Sequence, residues 1–144
     1  MIEFDFIRAH DAMLEIAEMV SAHEQEVRDY GDVNVDWNYY LSSSMSGQCL
    51  AVVVKDDGHL IGYSVFMIDN NPNHRHIIEA NNVGIFLIKK YRGKIGLEMF
   101  DYAQKRLSQM GVNEINYMVK SDRIGKLLGR MGYEPEHTLW SIKV

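Results

Sequence analysis

The sequence predicts one α/β domain: a mixed β-sheet with helices on its faces. Three observations predict it. Two β-forming runs, residues 48–55 (QCLAVVVK) and 60–68 (LIGYSVFMI), flank Asp57-Gly58, the dipeptide that a tight hairpin turn wants. Between residues 77 and 119 a strand, a glycine-bearing turn, a helix and a second strand follow one another. That order demands a parallel pair joined by a right-handed crossover. Finally, 144 residues, 47% apolar and 24% charged, suit one domain of ordinary size and crowd two.

The elements follow in order. Residues 2–8 (IEFDFIR) alternate apolar and polar, as a strand with one buried face does. Asp11 can cap a helix that presents Met13, Ile16, Ala17 and Val20 on one side and runs to about Val27. Residues 29–36 are polar and read as a loop. Trp37, Tyr40, Leu41 and Met45 recur at helical spacing and predict a short second helix ending at Gly47. After the hairpin, residues 69–73 (DNNPN) are turn chemistry. Residues 76–88 form a third long strand, and Gly84 inside it predicts a bulge or a close approach by another group. A helix then carries Met99, Phe100, Ala103, Leu107 and Met110, with Gly111 as its left-handed end. Residues 113–119 predict a strand. Ser121 or Asp122 caps a last helix bearing Ile124, Leu127, Leu128 and Met131, ended by Gly132. A closing strand, LWSIKV, is expected within residues 133–144, with Trp140 packed in it. The predicted order is β-α-α-β-β-β-α-β-α-β.

Composition excludes several classes. The single cysteine, Cys49, rules out an internal disulfide framework and a cysteine-rich metal site, and reads as a small core residue. No apolar run approaches ~18 residues, so no membrane-spanning helix is expected. The first residues show no basic stretch leading into an apolar one, so no signal peptide is expected and a cytoplasmic location follows. His74 and His76 alternate on one strand, but no third ligand accompanies them, so no metal is expected. The other histidines, His23 among them, are scattered.

The chemistry is concentrated in Arg92-Gly93-Lys94-Ile95-Gly96, between a strand and a helix. Glycines at a helix entrance let backbone N–H groups approach an anion, and the helix end adds partial positive charge. With Lys89 and Lys90 beside it, the turn suits a phosphate or pyrophosphate. Its spacing matches neither the P-loop nor the dinucleotide-binding pattern.

With that order of elements around it, the turn resembles the pyrophosphate loop of the GCN5-related N-acetyltransferase (GNAT) family. The matching residues are Phe86-Leu87-Ile88-Lys89-Lys90-Tyr91-Arg92-Gly93, then Gln109-Met110-Gly111-Val112 and residues 127–133 (LLGRMGY). Two departures stand out. The loop is one residue shorter than the family's Arg-Gly-x-Gly-x-Gly, and Ser121 and Leu128 occupy positions where the family often has Asn and Tyr.

The resemblance implies acetyl-CoA as co-substrate, held in a gap between two splayed parallel strands, residues 83–88 and 113–119. Implied cofactor-binding residues are Phe86, Leu87, Ile88, Arg92, Gly93, Lys94, Ile95, Gly96, Leu97, Ser121 and Arg123, with Lys120, Lys126 and Arg130 as further phosphate partners. A primary amine attacks the thioester directly in a ternary complex, so a base must take its proton. Glu79 is the only carboxylate on the strand before the loop, and Asn81 could hold a water; these are the implied catalytic residues.

Charge bears on the acceptor. Residues 1–75 carry a net −9 and residues 76–144 a net +4. Glu24, Glu26, Asp29, Asp32 and Asp36 face a single basic residue, Arg28, within one short stretch. In the family this region borders the acceptor pocket, so Asp32, Asp36 and Trp37 are expected to bind a cationic amine, from a small molecule or a protein. A formal charge of −5 argues against nucleic acid. A homodimer through the edge after the last strand is open. The rival reading is an acyl-CoA-binding or interaction module without catalysis, favoured by Leu128 where a proton donor often stands.

Overall fold

The computed structural model describes residues 1–27, 35–119 and 121–144. Among them lie five strands and four α-helices. The strands are β1 (Ile2–Arg8), β2 (Cys49–Asp56), β3 (His59–Asn71), β4 (His74–Leu87) and β5 (Glu114–Asn116). The helices are α1 (Met13–Val27), α2 (Trp37–Met45), α3 (Lys94–Gln109) and α4 (Asp122–Arg130). The strands form one sheet in sequence order, antiparallel from β1 to β4 and parallel between β4 and β5. The mixed class and the single parallel pair are as the sequence predicts.

The sheet is covered on both sides, which explains why β2 reads as a continuous apolar run rather than an alternating one. Cys49, Ala51 and Val53 face one layer, with Tyr63, Val65 and Phe86, beneath Ala12 and Ile16. Val52 and Val54 face the other, with Phe66, Ala80 and Leu87, beneath Met99, Ala103 and Leu107 of α3. The β2–β3 turn places both Asp57 (φ 47°) and Gly58 (φ 83°) in the left-handed region, as that two-residue turn requires. The β3–β4 turn is narrower than expected, because Asn71 Oδ1 accepts from the backbone N–H of Asn73 and of His74 and closes it locally.

Four expectations are corrected. Residues 133–144 form no strand: Leu139, Trp140 and Ile142 are all exposed, Trp140 at 89%, and their alternation meets no partner strand among the described residues. The strand expected over 113–119 holds only residues 114–116. Asp11 does not cap α1; it lies within a 3-10 turn, Ala9–Ala12, with its carboxylate 3.3 Å from His10 Nε2. Met110 lies at the end of α3 and is exposed, rather than on its inward face.

Candidate active site

The site is built where β4 leaves β5. The two strands pair only at Glu79–Glu114, Ala80–Ile115 and Asn81–Asn116. Asn116 Nδ2 donates to Asn81 Oδ1 at 3.0 Å across this last rung. Beyond it, β4 continues to Leu87 with no strand on that side among the described residues. The departure coincides with a bulge: Val65 pairs with Gly84 but Phe66 with Asn82, so Val83 has no partner in β3. An extra residue bends and twists the strand that carries it. Asn82 holds the bulge by donating from Nδ2 to Ser64 Oγ (2.9 Å) and to the Val65 carbonyl (3.2 Å). The predicted splayed pair and the irregularity at Gly84 are thus one feature.

At the far end of β4 the chain makes a 3-10 turn, Lys89–Tyr91, and enters α3 through Gly93 (φ 101°, ψ −116°). This is a conformation that glycine adopts and side-chain-bearing residues avoid. The first N–H groups of an α-helix lack intrahelical partners and carry partial positive charge. Here they belong to Lys94, Ile95 and Gly96. Arg92 Nε donates to the Leu87 carbonyl (2.8 Å), and its guanidinium lies 5.7 Å from the centre of the Phe86 ring. Tyr91 donates to Asp56 Oδ2 at 2.7 Å, fastening the turn to the end of β2 and holding the Asp56 carboxyl below the ordinary carboxylate range. Lys89, Lys90, Arg92 and Lys94 surround an entrance whose chemistry suits a diphosphate.

A cavity of about 140 Å³ opens on the other face of the sheet, between α1, α2 and the bulge. Val83 and Gly84 line it from β4, Trp37 and Tyr40 from α2, and His23 from α1. Tyr63, 3% exposed, forms part of its floor. His23 Nδ1 lies 2.8 Å from the Tyr63 hydroxyl, and the imidazole stacks on Phe86 with centroids 5.3 Å apart. A Cβ placed on Gly84 would come to 3.9 Å from Tyr63 Cε2, so the missing side chain leaves room at the hydroxyl end of that ring.

The structure brings some predicted residues together and separates others. Arg92, Gly93, Lys94, Ile95, Gly96 and Leu97 form the turn and the first helical residues. Phe86 and Leu87 are core residues on opposite faces of β4, and the Ile88 N–H is already bonded to the Ile61 carbonyl (2.9 Å). Ser121 is the exposed N-cap of α4, with no side-chain cap bond, and Arg123 is exposed on that helix. Leu128 is buried. Glu79 and Asn81 pair with Asp69 and Met67, and Met67 packs on the α1 side of the sheet, so both lie on the cavity's face. Neither lines the cavity. The Glu79 carboxylate instead accepts from Asn71 Nδ2 at 2.7 Å.

Asp36 caps α2 by accepting from the Tyr39 N–H at 3.0 Å. Asp29, Asp32, Lys120 and the side chains of Glu24 and Glu26 lie outside the described residues. His23 is the residue that sequence reasoning missed; nothing local marks it, because its partner is 40 residues away.

Comparisons with known proteins agree with this fold. The chain is similar over its full length to an aminoglycoside acetyltransferase from an uncultured soil metagenomic sample, solved in complex with trehalose: TM-score 0.78, 9% identity, 99% of this chain and 96% of that one. It is similar to the ribosomal-protein-alanine N-acetyltransferase of Brucella melitensis: TM-score 0.76, 16% identity, 100% and 98% covered. A predicted acetyltransferase from Clostridium acetobutylicum, solved with acetyl-CoA, gives TM-score 0.75 at 12% identity, with 99% and 96% covered. None of the curated proteins compared matches the chain in sequence. At these identities the likeness establishes the fold. The profile of the acetyltransferase (GNAT) family matches residues 12–133, most of the chain, and the protein belongs to that family.

Proposed function

We propose that the protein transfers the acetyl group of acetyl-CoA to a primary amine seated in the cavity between α1, α2 and the sheet. The observation that carries this reading is the divergence of β4 from β5 beside that cavity. The open edge of β4 offers backbone groups to an extended thioester arm. The basic turn at residues 92–96 suits the diphosphate of the same molecule, and the amine approaches from the opposite face, at Val83 and Gly84. The two approaches meet at the bulge, so the amine can attack the thioester directly, with no acyl group carried by the chain. Cys49 does not serve as a carrier, since it is fully buried and burial pushes its thiol up to about 11. An ordinary alkylamine is protonated at neutral pH, so the acceptor arrives as a cation. Acidic residues between Glu24 and Asp36 would favour its approach.

Thermal unfolding with and without CoA tests the loop assignment. Ligand at one hundred times its Kd adds about 2.7 kcal/mol of stability. Arg92→Glu sets an anion against the diphosphate and removes most of that gain; an unchanged gain in the variant would sink the assignment. Leu128, buried where the family often has a tyrosine, favours the second reading, an acyl-CoA-binding module without turnover. An amine panel with detection of released CoA thiol separates the two.

A further inference from the structure

We propose that the cavity takes a primary monoamine carried on an apolar body, and that Tyr63 takes the amine's proton and passes its own to His23. The inference rests on the acetyl-transfer reading above and deepens it.

The walls decide the body. Met13, Ile16 and Val20 of α1 and Val65 of β3 contribute only hydrocarbon and thioether, and Trp37 and Tyr40 add aromatic faces. About 140 Å³ is the scale of an apolar cavity that admits benzene, so a single ring or a short branched chain fills it. A whole aminoglycoside exceeds that volume and would stand largely outside the cavity. No carboxylate is among its described lining residues, whose hydrocarbon and aromatic walls favour an apolar body over a second ammonium group.

The floor decides the proton. Tyr63 is buried, and its hydroxyl is 2.8 Å from His23 Nδ1, so the two groups form one hydrogen-bonded unit. The gap left by Gly84 opens at the hydroxyl end of the Tyr63 ring, beside the bulge where β4 parts from β5. An amine nitrogen seated beyond that gap, against the edge of the Tyr63 ring, would approach its oxygen and face the thioester across the strand. The ammonium gives one proton to Tyr63 Oη as the Tyr63 hydroxyl proton moves to His23 Nδ1. The neutral amine then attacks the thioester carbon; the C–N bond forms and the C–S bond breaks. The second proton on nitrogen leaves with sulfur as the CoA thiol, and the imidazolium later releases its proton to water. Tyr63 is the catalytic residue, and His23 is its positioning and proton-storing partner. Among the described residues, Tyr40 of α2 lines the same cavity as His23, and the Arg92 guanidinium lies over the Phe86 ring on which the imidazole stacks.

The test uses 2-phenylethylamine, spermidine and kanamycin as acceptors, with Tyr63→Phe, His23→Asn and the double variant. Tyr63→Phe keeps the buried ring and removes only the hydroxyl. Phenylethylamine should exceed both polycations in kcat/KM by roughly tenfold or more. At pH 7 each single variant should lose about 100-fold in kcat, and the double variant no more than either. At about pH 10, where much of the amine enters neutral, these losses should largely vanish. Calorimetry without acetyl-CoA should find phenylethylamine still bound by Tyr63→Phe, weakened by no more than roughly tenfold for the lost hydrogen bond. An active Tyr63→Phe enzyme at pH 7, losses that persist at high pH or multiply in the double variant, or a preferred polycation would each overturn the inference while leaving acetyl transfer in place. A protein that is stabilised by CoA but acetylates none of the amines would overturn the acetyl-transfer reading itself.

Discussion

Asn81 and Asn116 are tied side chain to side chain at the last rung shared by β4 and β5, 3.0 Å apart, so the mouth of the strand gap is pinned by one amide pair. Asn116→Ala leaves the half-buried Asn81 carbonyl oxygen without this donor. The expected cost is about 1 kcal/mol, or roughly 3–4 °C in Tm for a chain of this size. The KM for acetyl-CoA should rise severalfold, because the rung that sets where the strands part is loosened. Thermal unfolding and initial-rate kinetics on the one variant check both.

Gly84→Ala tests the opening onto Tyr63. The added methyl would meet Tyr63 Cε2 at 3.9 Å, an ordinary contact, so stability should move by less than about 1 kcal/mol. The methyl nevertheless occupies the space reserved for the amine. The KM for the amine should rise at least several-fold, while the CoA-induced gain in Tm stays as in the wild type.

Asp36 separates capping from steering. Asp36→Asn keeps a good N-cap for α2 and loses the charge; Asp36→Ala loses both. Only the alanine variant should lose stability, by about 1 kcal/mol. If the charge draws the ammonium in, both variants should flatten the salt dependence of kcat/KM, since exposed charges are screened beyond roughly 8 Å at physiological salt.

The tie between Tyr91 and Asp56 predicts a pH response. The hydrogen bond from Tyr91 lowers the folded-state pKa of Asp56, so its stabilising effect is full above the ordinary carboxylate range. It is lost as pH falls through the lowered value. Tyr91→Phe should raise the Asp56 pKa toward its ordinary value, as read by NMR titration of the carboxyl carbon, and should weaken CoA binding through a looser turn.

Much of the fold was legible because its signals are local. Asp57-Gly58 needs only its own dihedral angles to make a hairpin, and the apolar run of β2 reports two covered faces without reference to any partner. The turn at Gly93 was legible for the same reason. The closing strand was misread because alternation marks a pattern suited to a sheet, while pairing needs a neighbouring strand, and residues 139–142 have none among the described residues. Glu79 stood out as the only carboxylate on its strand, yet what it meets depends on Asn71 across a turn. His23 and Tyr63 were illegible because their meeting is set by how α1 lies on β3, which no short window of sequence records.

The chain has two tryptophans, and they report on different surroundings. Trp37 lines the cavity, whereas Trp140 stands 89% exposed in the C-terminal segment. With Trp140→Phe, the remaining indole emission comes from the cavity wall alone. A ligand entering there displaces water from the ring and shifts that emission to the blue, so acceptor binding becomes a spectroscopic titration that needs neither acetyl-CoA nor turnover.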